Sequence, residues 1–302
     1  FGADAMYQGE NRKSGALLTY YVKEGVSKMG NDDKEIEGDK EENGEQSSKA
    51  SKDSLFLKVF DGDRLIRTLG FKKPKKAGFH KMSWYMDEKG ADRPSRTISK
   101  SNRERGGKSV LPGSYTLVLT DGVRESKQTI EVAADPRLGE SLSAMKEVYE
   151  TETILETFMQ KAADAVKQLV ESKQTASALS KELSNLDKEA HKEAIAASKK
   201  IVKEIDALIA LYLGSIDKRQ GITRNPEITV MQRIGAAASY VGSRKTGITA
   251  TETRLISFAK NQLSDALEKQ NEFYENKWPS FEEKMKAIDR NPFKETQIFK
   301  IQ

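Results

Sequence analysis

The chain has 302 residues, and its 51 Lys and Arg against 46 Asp and Glu give a net charge of +5 spread over an interspersed surface, unlike the clustered basic footprint of a nucleic-acid binder. The absence of cysteine excludes disulfides and thiolate chemistry and fits the cytosol and a Gram-negative periplasm equally. No run approaches the roughly 20 apolar residues that cross a bilayer; the most apolar stretch, 205–213, is too short and Asp206 interrupts it.

The length suits two domains of ordinary size. The chain opens at Phe1 without Met and without a charged-then-apolar leader, which reads as a fragment or a processed chain. Residues 17–22 (LLTYYV) form a β-rich run. Residues 26–53 carry almost no apolar side chain and cannot offset the entropy of ordering, which predicts a disordered acidic and lysine-rich insertion. Leu55, Leu57 and Val59 then alternate with Phe56, Lys58 and Phe60. Asp61-Gly62-Asp63 follows, and apolar residues resume at Leu65, Ile66 and Leu69, the pattern of a hairpin. The lysine cluster 72–76 reads as a solvated hairpin loop, with contact to phosphate or anionic lipid as the lesser reading. Residues 78–86 (GFHKMSWYM) predict a strand with Met82, Trp84 and Met86 on one face. Residues 87–107 are polar and turn-rich, and strands follow at 114–120 and 128–132.

The texture changes at Asp135-Pro136-Arg137. Apolar residues now recur at three- and four-residue steps through Met145, Leu155, Val166 and Leu169, then Leu183, Ile201, Ile205, Leu208 and Tyr212. The spacing predicts helices over 138–187 and 189–213, with Gly214 as a C-terminal cap. A loop over 217–225 precedes a short helix whose first turn would hold Pro226 and which Gly242 ends. Thr249 and Glu252 form a capping box for a long helix carrying Leu255, Phe258, Leu263 and Phe273, which Pro279 kinks or breaks.

Candidate chemistry is sparse. His80 and His191 are the only histidines, and both read as surface residues. Carboxylate pairs such as Glu41-Glu42 and Glu282-Glu283 are adjacent on solvated segments, whereas a glycosidase needs two carboxyls across one cleft. Asp61-Gly62-Asp63 and Asp87-Glu88-Lys89-Gly90 lack the oxygen spacing of an EF-hand and read as turns. Trp84 reads as core, while Trp278 is open to either packing or sugar stacking. No residue is therefore assigned to a catalytic, cofactor-binding or metal-binding role.

The succession LLTYYV, LKVFDGDRLIRTL, GFHKMSWYMDEKG and VLPGSYTLVLTDG resembles the Ig-like sandwich of many secreted bacterial proteins. GENRKSGALLTYYVK, the DPR junction with its long helices, and NPEITVMQRIGAAASYVGS before a Thr-initiated helix are more specific. Together they resemble the C-terminal region of bacterial exported sortilin-like, BNR-repeat β-propeller proteins, often labelled glycosyl hydrolases. Arg12-Lys13-Ser14 departs from the Pro-rich residues usual there, in a loop. The resemblance implies an Ig-like β-sandwich over 1–136 and an antiparallel α-helical bundle over 137–289, with a tail over 290–302. It implies a non-catalytic spacer and docking region, exported to the periplasm, outer membrane or cell surface. The implied partners are the chain's own upstream propeller domain and another envelope protein or a glycan; the alternative is an accessory region of a propeller glycoside hydrolase or glycan-binding protein. No cofactor, nucleic acid or membrane-spanning segment is implied.

Overall fold

A computed structural model describes residues 14–23, 54–99, 101, 103–136, 142–216, 227–244 and 247–288. The insertion expected over 26–53, the tail over 290–302, the Glu41-Glu42 pair and Pro226 lie outside the described residues. The chain divides into two compact units: residues 1–90 with 100–140, and Ala91–Ser99 with 141–302. The first holds antiparallel β-sheets and the second α-helices.

In the first unit, β1 (Ala16–Val22) pairs with β4 (Gly78–Trp84), and β5 (Asp87–Lys89) pairs with β6 (Gly106–Ser109). A four-stranded sheet runs β3-β2-β7-β8, from Arg64–Lys72, Ser54–Asp61, Gly113–Thr120 and Glu125–Val132. The expected period of two holds in β2, where Leu55, Leu57 and Val59 are buried between half-exposed neighbours. Leu57, Val59, Ile66, Met82, Trp84, Val110, Tyr115 and Leu117 form one core, drawn from both the four-stranded sheet and the β1–β4 ribbon. Gly62 turns the β2–β3 hairpin at φ 58°, a backbone region glycine enters without a Cβ clash.

Trp84 is fully buried, edge-on to Tyr115 at 5.6 Å, with its Nε1 donating to the Asp87 carbonyl at 3.0 Å. The Tyr115 hydroxyl donates back to the Leu111 carbonyl at 2.6 Å. Strand β4 ends at Trp84 rather than Met86. Met86 takes φ 57°, and its carbonyl accepts from Val110 N at 2.9 Å, so the backbone turns away from the ladder. The stretch 87–107 is not all turns either: β5 and β6 pair there, because glycines let the two backbones approach. A Cβ on Gly90 would lie 2.5 Å from the Gly106 carbonyl oxygen. Gly90→Ala is therefore expected to open this ribbon, read as faster exchange of the amide at position 90, which in Gly90 donates to the Arg105 carbonyl at 2.9 Å.

In the second unit, α1 (Leu142–Leu186) packs along α2 (Lys192–Leu213) and against α3 (Val230–Gly242) and α4 (Ala250–Glu272). Ala162, Val166, Leu169, Ile205, Ile209, Tyr212, Ile234 and Ala259 belong to one shared core. Helix α2 starts three residues later than the spacing suggested. Asp187 Oδ1 accepts from the Glu189 and Ala190 amides, each at 3.0 Å, which holds a turn there. Helix α3 starts at Val230, after a capping box of Thr229 and Gln232, not at Pro226. The Thr249–Glu252 box starts α4 as expected, and Gly214, at φ 81°, caps α2.

Pro279 does not break the last helix. Residues Phe273–Lys277 form a π turn, with Trp278 N donating to the Phe273 carbonyl, and α5 (Trp278–Lys286) follows with Pro279 in its first turn. One widened turn accommodates the missing donor. The segment Ala91–Ser99, inside the β-rich stretch of sequence, groups with the helices. Its Asp92 N donates to Gln160 Oε1 at 2.9 Å, and Arg96 donates to the Gly214 carbonyl.

Candidate functional site

Strand β3 carries a buried cation, Arg67. Its Nη2 lies 3.4 Å from Asp87 Oδ2, and its Nη1 faces Glu104 at 3.9 Å and donates to the Arg105 carbonyl. Glu104 also accepts from Thr68 N at 2.8 Å. Beside it, buried Glu88 accepts from both Nη atoms of Arg64, at 3.0 and 2.8 Å, and pairs with Lys108 at 3.5 Å. Desolvation pushes the Asp87 carboxyl above the usual carboxylate range, with the Arg67 charge opposing it. Asp87 and Glu88, expected in a turn, are thus strand residues whose charges are met by cations. The cluster pins the β5–β6 ribbon to β3, as buried charges require.

In the helical unit, Glu252 is completely buried. Its carboxylate accepts from Thr249 N at 2.9 Å and from the Thr249 hydroxyl, and pairs with Arg244 Nη2 at 2.7 Å. Arg244, followed by Thr249, holds the Glu252 pKa down to about 2. A depressed carboxylate pKa contributes stability that is present above the ordinary value near 4.5 and is lost as pH falls towards 2. Thermal unfolding of the helices is expected to shift down across that window. Glu252→Gln keeps a cap acceptor but no charge, so its unfolding temperature should change less over the same pH range; an identical acid response would remove the role assigned to the pair.

Deeper in the same core, the Tyr212 hydroxyl donates to Gln270 Oε1 at 2.8 Å, and Gln270 Nε2 donates to the Ala165 carbonyl at 3.1 Å. Burial pushes the Tyr212 phenol well above its ordinary pKa. It acts as a hydrogen-bond donor, not a base.

One concave surface opens between α2 and the end of α4. A groove of about 340 Å³ is lined by Ala207, Leu208, Leu211 and Phe273, with Glu204, Lys269, Glu272 and Lys277 around them. Lys277 Nζ bridges to Glu204 at 2.9 Å. Leu208, expected in the core, is half-buried at this groove. The π turn lies on its wall, a helical irregularity that recurs at functional sites. Beyond Pro279, no local pattern marks it. Nor does periodicity distinguish Leu208 from the fully buried Ile205 and Ile209 beside it.

The other residues singled out from sequence are divided between the two units. His80 lies on the Met82–Trp84 side of β4 rather than the outer face; it is half-buried, its Nε2 is 2.9 Å from the Lys76 carbonyl, and its ring is 5.6 Å from Tyr20. His191 is the N-cap of α2 and is half-buried, without a side-chain capping bond. Asp61 pairs with Arg64 at 3.1 Å, closing the hairpin. Trp278 donates to Glu282 Oε1 at 2.6 Å, and its ring packs within 5.4 Å of Phe281, with Phe273 and Tyr274 nearby. Phe258, placed on the apolar stripe, is 39% exposed under the Arg233 and Arg254 guanidiniums. Among the described residues, no helix is long and apolar enough to cross a membrane. The chain matches no protein-family model, no curated protein and no solved structure.

Proposed function

We propose that the chain is a spacer and docking region, built as an Ig-like β-sandwich followed by an antiparallel helical bundle, from a larger exported β-propeller protein of the bacterial envelope. The groove between α2 and α4 supports this reading most directly. It joins an apolar floor of Leu208, Leu211 and Phe273 to a rim of both charges, the composition of a protein contact with a hydrophobic centre and polar border. Two further observations agree. Two sheets contribute to one core around a buried Trp, and Tyr115 makes a hydroxyl-to-upstream-carbonyl bond like the one that recurs in Ig-like sandwiches. The buried carboxylates Glu88 and Glu252 are paired with arginines and serve packing and capping. A glycan-stacking role draws less support, because the Trp278 ring is engaged with its aromatic neighbours and its N–H with Glu282.

The favoured occupant of the groove is the upstream propeller. Expressed separately, the two parts should associate, and Leu208→Glu with Leu211→Glu should weaken that association at least about tenfold, the cost of placing charge in an apolar contact. Association indifferent to both substitutions, or a full-length protein with no repeat-built propeller upstream, removes the reading. The chain alone is expected to give no glycoside or peptide turnover. Turnover lost on a single carboxylate substitution would establish an enzyme instead.

A further inference from the structure

The strand register gathers several loops at one end of the β unit. Lys72, closing β3, lies opposite Ser54 of β2; Thr120, closing β7, lies opposite Phe56 of β2 and Glu125 of β8. The β3–β4 loop and the β7–β8 turn therefore emerge together, and Lys73 Nζ ties them by reaching Asp121 Oδ2 at 3.2 Å. Strand β1 ends there too, because Val22 pairs with Gly78 at the start of β4.

This end displays apolar side chains that a folded surface ordinarily covers. Val123 is 89% exposed, Phe79 79% and Tyr21 57%, and the Tyr21 and Phe79 rings lie 5.1 Å apart. The turn that presents Val123 is fixed: Asp121 Oδ1 accepts from Val123 N at 3.1 Å and from Arg124 N at 2.8 Å. Around these residues stand exposed cations at Lys23, Lys72, Lys75, Lys76 and Arg124. Nearby Asp121 is engaged within the turn and pairs with Lys73 at 3.2 Å and with Arg124 at 3.9 Å, and among the described residues of this end the exposed Glu125 also opposes the cations.

Protruding apolar residues ringed by lysine and arginine match an anionic bilayer surface, where shallow apolar insertion adds to electrostatic attraction. A single-stranded nucleic acid calls for a basic groove floored by successive aromatic rings, whereas the exposed rings here are the one Tyr21–Phe79 pair and the most exposed apolar residue, Val123, has no ring. We propose that this end of the β unit docks on anionic lipid membranes, with Val123, Phe79 and Tyr21 entering the headgroup region and the surrounding cations pairing with acidic headgroups. Residues 24–53, between β1 and β2 in sequence, hold ten acidic and five basic residues, a net negative charge that works against attraction to an anionic surface.

The test is co-sedimentation of the chain with phosphatidylglycerol–phosphatidylethanolamine vesicles and with pure phosphatidylcholine vesicles, at low and physiological salt. Binding is expected to the anionic vesicles only and to weaken with salt. Lys75→Glu with Lys76→Glu should reduce it about tenfold or more, from the loss and reversal of two surface charges. Val123→Ser with Phe79→Ser should reduce it several-fold and leave the salt dependence in place. A chain lacking 26–53 should bind at least as tightly. Unchanged unfolding curves show that the variants fold; should the lysine pair unfold early, Arg124→Glu alone is the replacement. No binding to anionic vesicles, equal binding to neutral ones, indifference to both pairs of substitutions, or binding to a single-stranded oligonucleotide that vesicles fail to displace would each overturn the proposal.

Discussion

Trp84→Ala is expected to cost the β unit about 3–5 kcal/mol, the range for removing a large buried aromatic. Three losses act together. The indole is fully buried, so its transfer energy is lost and a cavity opens among Leu57, Val59 and Leu117. The edge-on contact to Tyr115 disappears. The Asp87 carbonyl loses its donor at the point where the chain leaves β4 for β5. The measurement is urea unfolding followed unit by unit. The chain has two tryptophans, one in each unit, so in the variant the fluorescence comes from Trp278 and reports the helices alone. Far-ultraviolet dichroism at a strand-weighted wavelength follows the sheets. A β transition moved by under about 1 kcal/mol would show that Trp84 does not organise this core.

Why some elements were legible and others not follows from what each one uses. Strands β2 and β7 and the Thr249–Glu252 cap are written in local patterns: alternating apolar residues in the strands, and a hydroxyl and a carboxyl three residues apart in the cap. Strands β5 and β6 have no such alternation. DEK and GGKS form a ribbon because Arg64 and Arg67 of β3 receive the acids of β5, because Lys108 meets Glu88 across the ribbon, and because Gly90 and Gly106 permit close approach. Those are long-range facts that no window of sequence contains. The late start of α2 was within reach, since Asp187 in NLDKEA is a residue that bonds to its own following backbone. The start of α3 is likewise written locally, in the Thr229 and Gln232 capping box. The groove was not readable. It depends on a π turn that shifts register by one residue within an otherwise continuous helix.

Ile205→Ala in α2 is expected to destabilise the helical unit by about 2–5 kcal/mol. Ile205 is fully buried, and its neighbours on the same face, Ile201 and Ile209, belong to the same core. Removing its side-chain carbons leaves a void whose walls belong to long helices, and long helices collapse poorly onto a local gap, which favours the upper half of the range. Helix propensity works the other way, since Ala exceeds Ile by a few tenths of a kcal/mol, too little to offset the void. Leu208→Ala is the internal control. Leu208 is three residues further along α2 and of similar size, but it is half-buried at the groove and should cost about half as much or less. Helical dichroism in urea reads both variants, with the β transition expected to stay in place because the cores are separate. Equal costs for the two would mean that the groove is closed in solution and that Leu208 is core after all. That outcome would remove the docking surface while leaving the Ile201–Ile205–Ile209 face of α2 in the core.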